Sequence, residues 1–430
     1  MPQELFSIIS PLWEIFRAWW WLPLPFILIR PLFYFWLWWR RTLWYNNINW
    51  VLLEIKVPAE QAKTPKAMEQ VLASFTAVYS GPNTRETWFD GEIDLWLSLE
   101  IVGIDGIPHF FIRCPTDKRN LIESGIYSQY PDAEIFEAED YVENIPQGIP
   151  DGDWDFWGRT MILKKDDPYP IKTYKDFSAP QEKEEKIVDP VASLLEGIGK
   201  LKKGEQIWIQ FLIRPMMGGE VGLKEEGEKL RDKLAKRSVE KKAEPKPILF
   251  EAGELLVFGP SEKKEEKKEE RDLFPPEMRL TPGERDIVEA IEEKISKPPF
   301  QVVTRMMYLG HKDAYFGANA SILYGFFNSF GTQNLNWIGS EGKVSTKVQW
   351  FFSKRRVYAR KKRMFWLYKL KLPPFPGYSD FWSGKIGISI MNNEEIATMF
   401  HFPSRLVAPA PTMVRVESKK GEPPPELPTE

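Results

Sequence analysis

The residues that could do chemistry in this 430-residue chain are few and dispersed. Its single cysteine, Cys114, closes an alternating apolar run, a setting that gives a packed thiol more often than a nucleophile. One cysteine also excludes an intramolecular disulfide, in keeping with a reducing cytoplasm. The three histidines, His109, His311 and His401, stand in no metal-ligand spacing. The pattern puts His109 on a strand and His311 at a helix start. The carboxylate pairs Asp153/Asp155 and Asp166/Asp167 lie in turn-like segments, where solvation accounts for them. Gly342-Lys343 and Gly384-Lys385 are followed by Val344 and Ile386 and lack the earlier glycine, so no phosphate-cradling loop is encoded. The sequence therefore predicts no catalytic residue, no metal ligand and no cofactor.

Charge is concentrated in one place. Lys354, Arg355, Arg356, Arg360, Lys361, Lys362 and Arg363 interleave with Tyr358, Phe365, Trp366 and Tyr368, and the spacing predicts a basic helix over 354–369. Such a helix could track a nucleic-acid backbone and stack on bases. It could lie against anionic lipid, at about 1 kcal/mol per Lys or Arg near the surface. It could also be only a solvated face, the usual fate of a charge run. The net charge of −3 adds no general attraction to nucleic acid.

The elements that must position this helix begin with the most apolar stretch of the chain. Trp19, Trp20, Trp21, Phe26, Ile27, Leu28, Ile29, Leu32, Phe33, Phe35, Trp36, Trp38 and Trp39 run up to Arg40-Arg41. Tryptophan at both ends fits the membrane–water interface, and about 20 apolar residues of helix suit a bilayer core. Arg30 in mid-segment costs roughly 2.5–3.5 kcal/mol on the insertion scale, and Pro23, Pro25 and Pro31 are expected to interrupt the helix. Residues 1–49 are thus expected to anchor the chain, either as a kinked span or as an interfacial element. Arg40 and Arg41 favour the cytoplasmic side for all that follows. The 28% charged fraction excludes a polytopic membrane protein.

Residues 50–150 read as β-α-β-β-α-β. The strands are predicted at 50–57, 93–102, 107–114 and 134–136, the helices at 64–79 and 116–130, and the hairpin turn at Gly103-Ile104-Asp105-Gly106. That is the ferredoxin-like order. Residues 151–400 are expected to repeat it, from a strand at 156–163 to a last strand at 384–390, with a helix over 311–330. A charged insertion at 216–282 contains a Lys/Glu low-complexity run at 261–271 that cannot bury enough surface to fold alone. Residues 401–430 are expected to be a proline-rich extended tail. The fold class is α+β: an N-terminal membrane helix followed by two ferredoxin-like modules.

The segment from Asn393-Glu394-Glu395-Ile396-Ala397-Thr398-Met399-Phe400-His401-Phe402-Pro403 to Glu417-Ser418-Lys419-Lys420-Gly421-Glu422-Pro423-Pro424-Pro425-Glu426-Leu427-Pro428 resembles a junction in HerA/FtsK-like, TraG/TraC-type DNA-transfer ATPases of type IV secretion systems. Phe326 to Asn336 resembles a stretch upstream of it. In that family the junction links a membrane-anchored N-terminal region to the nucleotide-binding domain. The resemblance implies the N-terminal half alone, separated from its motor, with no catalytic residue carried over. It implies a bacterial or archaeal inner-membrane location, a bilayer and a HerA/FtsK-like ATPase as partners, and a docking arm that includes Phe402, Pro403, Glu417, Pro423, Pro424 and Leu427. The alternatives are a membrane-tethered nucleic-acid-binding protein that uses the basic helix on DNA, and a structural membrane protein.

Overall fold

The computed structural model describes residues 24–58, 63–151, 153–177, 189–217, 222–235, 280–342, 351–373 and 387–403, with isolated positions before 24 and between 343 and 350. A first helix, α1 (Leu24–Asn47), leads into β1 (Trp50–Lys56), α2 (Pro65–Phe75), β2 (Leu97–Ile104), β3 (Ile107–Pro115), α3 (Arg119–Gln129) and β4 (Glu134–Glu137). There follow β5 (Trp154–Leu163), the short α4 (Tyr174–Phe177), α5 (Pro190–Gly199), β6 (Glu205–Pro215) and α6 (Leu223–Leu234). The chain continues as α7 (Pro282–Ser296), β7 (Pro299–His311), α8 (Ala320–Asn328), β8 (Ile338–Ser340), α9 (Ser353–Lys369), β9 (Ser389–Asn392) and α10 (Asn393–Met399).

The strands form one antiparallel sheet in the order β4-β1-β3-β2-β6-β7-β5-β8, with β9 attached to β7. The architecture is α+β. The two halves of the chain meet where β2 pairs β6, from Leu97 opposite Ile213 to Ile104 opposite Gln206. Both of these strands are buried nearly end to end. Such continuous burial needs cover on both faces of the sheet, and two covered faces account for runs as apolar as Ile207–Ile213. The β2–β3 hairpin turns on Asp105-Gly106, whose φ values of 51° and 88° give the primed geometry that matches strand twist.

On one face lie α2, α3, α5, α8 and α10. Met68, Val71, Leu72 and Phe75 of α2 meet Ile122 and Ile126 of α3 above Leu53, Leu99, Ile101 and Ile112. Val191, Leu194 and Ile198 of α5 join Leu323, Phe326 and Phe327 of α8 above Ile207, Ile209 and Phe211. The opposite face is covered by α9, by a 3₁₀ turn at Tyr141–Asn144 and by the end of α1. A polar network crosses this second layer at the seam. Glu100, fully buried, accepts from Gln210 Nε2 at 3.0 Å, from Tyr141 Oη at 2.8 Å and from Ser98 Oγ. Arg305 donates to Gln210 Oε1 and to the Leu367 carbonyl, both at 3.0 Å, and to the Leu372 carbonyl. Burial brings the Arg305 guanidinium down to about 10, and it drives the Tyr141 and Tyr368 hydroxyls well above their usual range.

Several expectations need correction. The fourth strand of the second half is Ile338–Ser340 beside β5, not the stretch at 384–390. Ser389–Asn392 pairs instead with the first residues of β7, from Val302–Ser389 to Pro299–Asn392. The reason is length: β5 leaves β7 at Thr304, and β9 covers the remaining edge. His311 ends β7 and does not start a helix, since α8 begins nine residues later. In α1, Pro31 sits inside an unbroken helix and Pro25 falls at its second position, where a missing N–H costs nothing. The helix also runs on past Arg40-Arg41 to Asn47. Within the expected insertion, α6 packs on α7 through Leu223 and Gly227, and the low-complexity run lies outside the described residues.

Phe402 and His401 are not the start of a tail. Phe402 is buried edge-on against Phe110 and Tyr130, with ring centroids 5.3 and 5.1 Å away. His401, also buried, has Nδ1 2.8 Å from the Ala397 carbonyl and Nε2 3.0 Å from Asp189 Oδ1. Burial opposes protonation, but Asp189 and the nearby carbonyls outweigh it and raise the imidazole above 6.5. Burial likewise opposes ionisation of Asp189, yet His401 and the N–H groups that Asp189 caps hold its carboxyl below the usual range. A raised histidine contributes stability fully below its unfolded value and loses it as pH rises through the folded value. A depressed carboxylate contributes above its unfolded value and loses it as pH falls through the folded one. The intact protein is therefore expected to lose Tm as pH rises over the range above the imidazole's usual 6.5, and His401→Gln is expected to flatten that slope. Scanning calorimetry of both forms across the range checks this, and parallel slopes would refute it.

Candidate membrane-contact surface

Helix α1 joins the body by its C-terminal half. Trp44 and Tyr45 pack on the second layer. Tyr45 stacks on Trp96 with centroids 5.8 Å apart and donates its hydroxyl to the Leu370 carbonyl at 2.9 Å. Arg40 donates from Nε to the Phe89 carbonyl at 2.5 Å and reaches Asp90 at 3.4 Å.

The rest of α1 turns apolar side chains outward. Ile27, Leu28, Ile29, Leu32, Phe33, Phe35, Trp36, Trp38 and Trp39 are exposed, Leu32 to 69%, as are Trp19 and Trp21 ahead of the helix. Trp20 and the Phe26 side chain lie outside the described residues. Arg41 is half-buried. An aromatic and aliphatic surface of this extent is unusual on a monomer in water and marks an interaction site. Among the described residues no helix is long and apolar enough to cross a membrane. Arg30 and the tryptophan-rich composition keep α1 from that class, so the expected spanning helix is not established.

Helix α9 lies on the same face of the sheet as the end of α1, and the Tyr45–Leu370 bond ties α1 to the residue that follows α9. Its buried side carries Met364, Phe365 and Tyr368. Two of the seven predicted basic residues serve the fold: Lys361 pairs with Asp155 at 2.5 Å, and Arg360 donates to the Ser345 carbonyl at 3.0 Å. The i, i+3/i+4, i+7 rule places Lys361 on the Met364–Phe365–Tyr368 side, a signal already present in the sequence. Lys354, Arg355, Arg356, Lys362 and Arg363 are exposed, and Trp366 is exposed among them. The basic set is thus divided between structure and surface.

Comparison with protein-family models finds no match, and comparison with curated proteins finds none either. The remaining candidate residues separate sharply. Cys114 is buried, and desolvation raises its thiol to about 12, so it is inert at neutral pH. His109 stands on β3 with Nδ1 2.7 Å from Glu54 Oε1. Among the described residues no cluster of three His, Cys, Asp or Glu could hold a metal ion. Of the expected docking residues, Phe402 is part of the core and Pro403 is half-buried. Glu417, Pro423, Pro424 and Leu427 lie outside the described residues.

Two residues that sequence reasoning missed complete the surface. Trp88 and Phe89 are exposed on a single π-helical turn, Glu86–Asp90, that sits against α1. The apolar pair between Asn83 and Gly91, in an otherwise polar stretch, was the available signal.

Proposed function

We propose that this chain is a non-catalytic, membrane-attached module that holds a separately encoded translocation ATPase of the HerA/FtsK-like class at the membrane. Each half reads as a ferredoxin-like unit, with β4-β1-β3-β2 and its counterpart β8-β5-β7-β6 sharing the β2–β6 edge. The observation that carries the membrane part is the exposed apolar surface of α1, continuous with a helix end fixed to the body by Trp44, Tyr45 and Arg40. Bilayer insertion removes that surface from water, and the tryptophans then lie where their amphipathic rings are favoured. Arg40 and Arg41 favour the cytoplasmic side for the bulk of the chain. The ATPase part rests on the resemblance of the C-terminal stretch and on the anchoring of its first residues in the core.

Cell fractionation tests the attachment. The intact chain is expected to stay in the membrane pellet through a carbonate wash, and a variant lacking residues 1–41 is expected to move to the supernatant. Recovery of the intact protein in the supernatant would sink the reading. A second reading, nucleic-acid binding, is favoured by the exposed Arg355–Lys362–Trp366 stripe, where cations flank an aromatic ring. Retention on single-stranded DNA that falls steeply with salt would speak for it.

A further inference from the structure

We propose that the turn Glu86–Asp90 is a second membrane-contacting element, which inserts Trp88 and Phe89 into the interface of the phospholipid bilayer beside α1. This rests on the membrane reading of α1 and adds a contact from a segment far from it in sequence.

The first observation is exposure where folding would bury. Phe89 is 66% and Trp88 42% exposed, and the turn that carries them is well built. Asn83 Oδ1 accepts from the N–H groups of Arg85 and Glu86, Glu86 Oε2 accepts from Asn83 N at 2.9 Å, and Thr87 N donates to the Asn83 carbonyl at 2.9 Å. A single π-helical turn is a costly backbone form that recurs at functional positions. Here it projects two large aromatic side chains outward.

The second observation is where the turn is fixed. Trp88 packs on Phe33 with centroids 4.9 Å apart, and Arg40 holds the Phe89 carbonyl and Asp90. Gly91, at φ 74°, lies so close to α1 that a Cβ there would be 2.5 Å from the Arg40 carbonyl carbon. The turn is therefore moulded to α1 between Phe33 and Arg40. Seven residues of helix span about 10 Å, the depth over which interfacial elements bury their apolar side. If Arg40 marks the lipid headgroups, Trp88 lies at the level of Phe33, within the same apolar surface. Arg40 supplies a countercharge to Asp90 and a donor to the Phe89 carbonyl at that depth. Tryptophan and phenylalanine are the side chains such a position favours.

The full-length chain is reconstituted in phosphatidylcholine/phosphatidylglycerol liposomes with an environment-sensitive fluorophore on a single introduced cysteine. Three variants are compared: Phe89→Cys, Trp36→Cys on α1, and Phe136→Cys, exposed on the edge strand β4. Cys114 is buried and stays unlabelled. Lipids with a nitroxide on the acyl chain are expected to quench positions 36 and 89 by more than about twofold and to leave 136 unaffected. Quenching at 36 with position 89 as unaffected as 136 overturns the second contact while the anchor stands. Absence of quenching at both overturns the membrane reading and this inference with it.

Discussion

Lys294→Met is expected to lower the unfolding free energy by about 3–5 kcal/mol, the range for breaking a buried ion pair from one side. Both side chains of the Lys294–Glu395 pair are fully buried, with Nζ 3.0 Å from Oε2 and 3.1 Å from Oε1. Each has taken on a tertiary task. Lys294, on α7, also donates to the Tyr169 carbonyl at 3.3 Å. Glu395, on α10, accepts from Ile171 N at 2.9 Å and from Asn392 N at 3.0 Å, the second bond being half of a capping box. Removal of the ammonium leaves a carboxylate in a dry site with backbone donors but no countercharge. Removal of both charges, in Lys294→Met/Glu395→Met, is expected to recover much of the loss. The carboxylate's bonds from Ile171 N and Asn392 N are still missing there, at about 1 kcal/mol each. Urea unfolding of the four forms closes the cycle and isolates the coupling. A loss under about 1 kcal/mol for Lys294→Met would mean that water reaches the pair.

Local signals carried much of the fold, and the failures share a cause. Thr281 and Glu284 have capping-box spacing, and both bonds form, at 3.3 and 2.8 Å. Asp189-Pro190 starts α5 with the Asp189 side chain on Val191 N. Asp105-Gly106 makes the hairpin turn it encodes. Each depends on residues within a few positions of one another. The β2–β6 seam does not. Two strands as apolar as these announce cover on both faces and say nothing of which edge they join. Three-residue β8 is too short to show a period. The same limit applied at the candidate surface. The apolar run of α1 was legible as composition, but its attachment through Tyr45 and Arg40 needs partners 49 to 325 residues away. Phe402 misled for a different reason: Pro403 and the prolines beyond it set the local composition, while its ring belongs to the core around Phe110 and Tyr130.

That placement sets the last expectation, which separates core from arm. Phe402→Ala is expected to destabilise the protein by about 3–5 kcal/mol, since it empties a site closed by three aromatic rings, Phe110, Tyr130 and Phe400. Truncation after Pro403 removes the proline-rich residues that the sequence predicts to stand apart from the core, and it is expected to leave Tm unchanged. The two variants should divide oppositely in function. The proline-rich arm that the sequence predicts would lose little entropy on binding, which would suit it to hold the proposed motor subunit. If, as proposed, the motor is a separate chain, the contact is intermolecular and depends on concentration. The truncated chain is accordingly expected to stay folded and membrane-bound but to lose co-purification with the candidate ATPase. A cut placed before Phe402 would confound the two effects, because the core would fail with the arm. Thermal melts with pull-down of the motor from the same detergent extracts decide it. Equal recovery of the motor by truncated and intact chains would rule out the arm, and an unchanged melt for Phe402→Ala would remove Phe402 from the core.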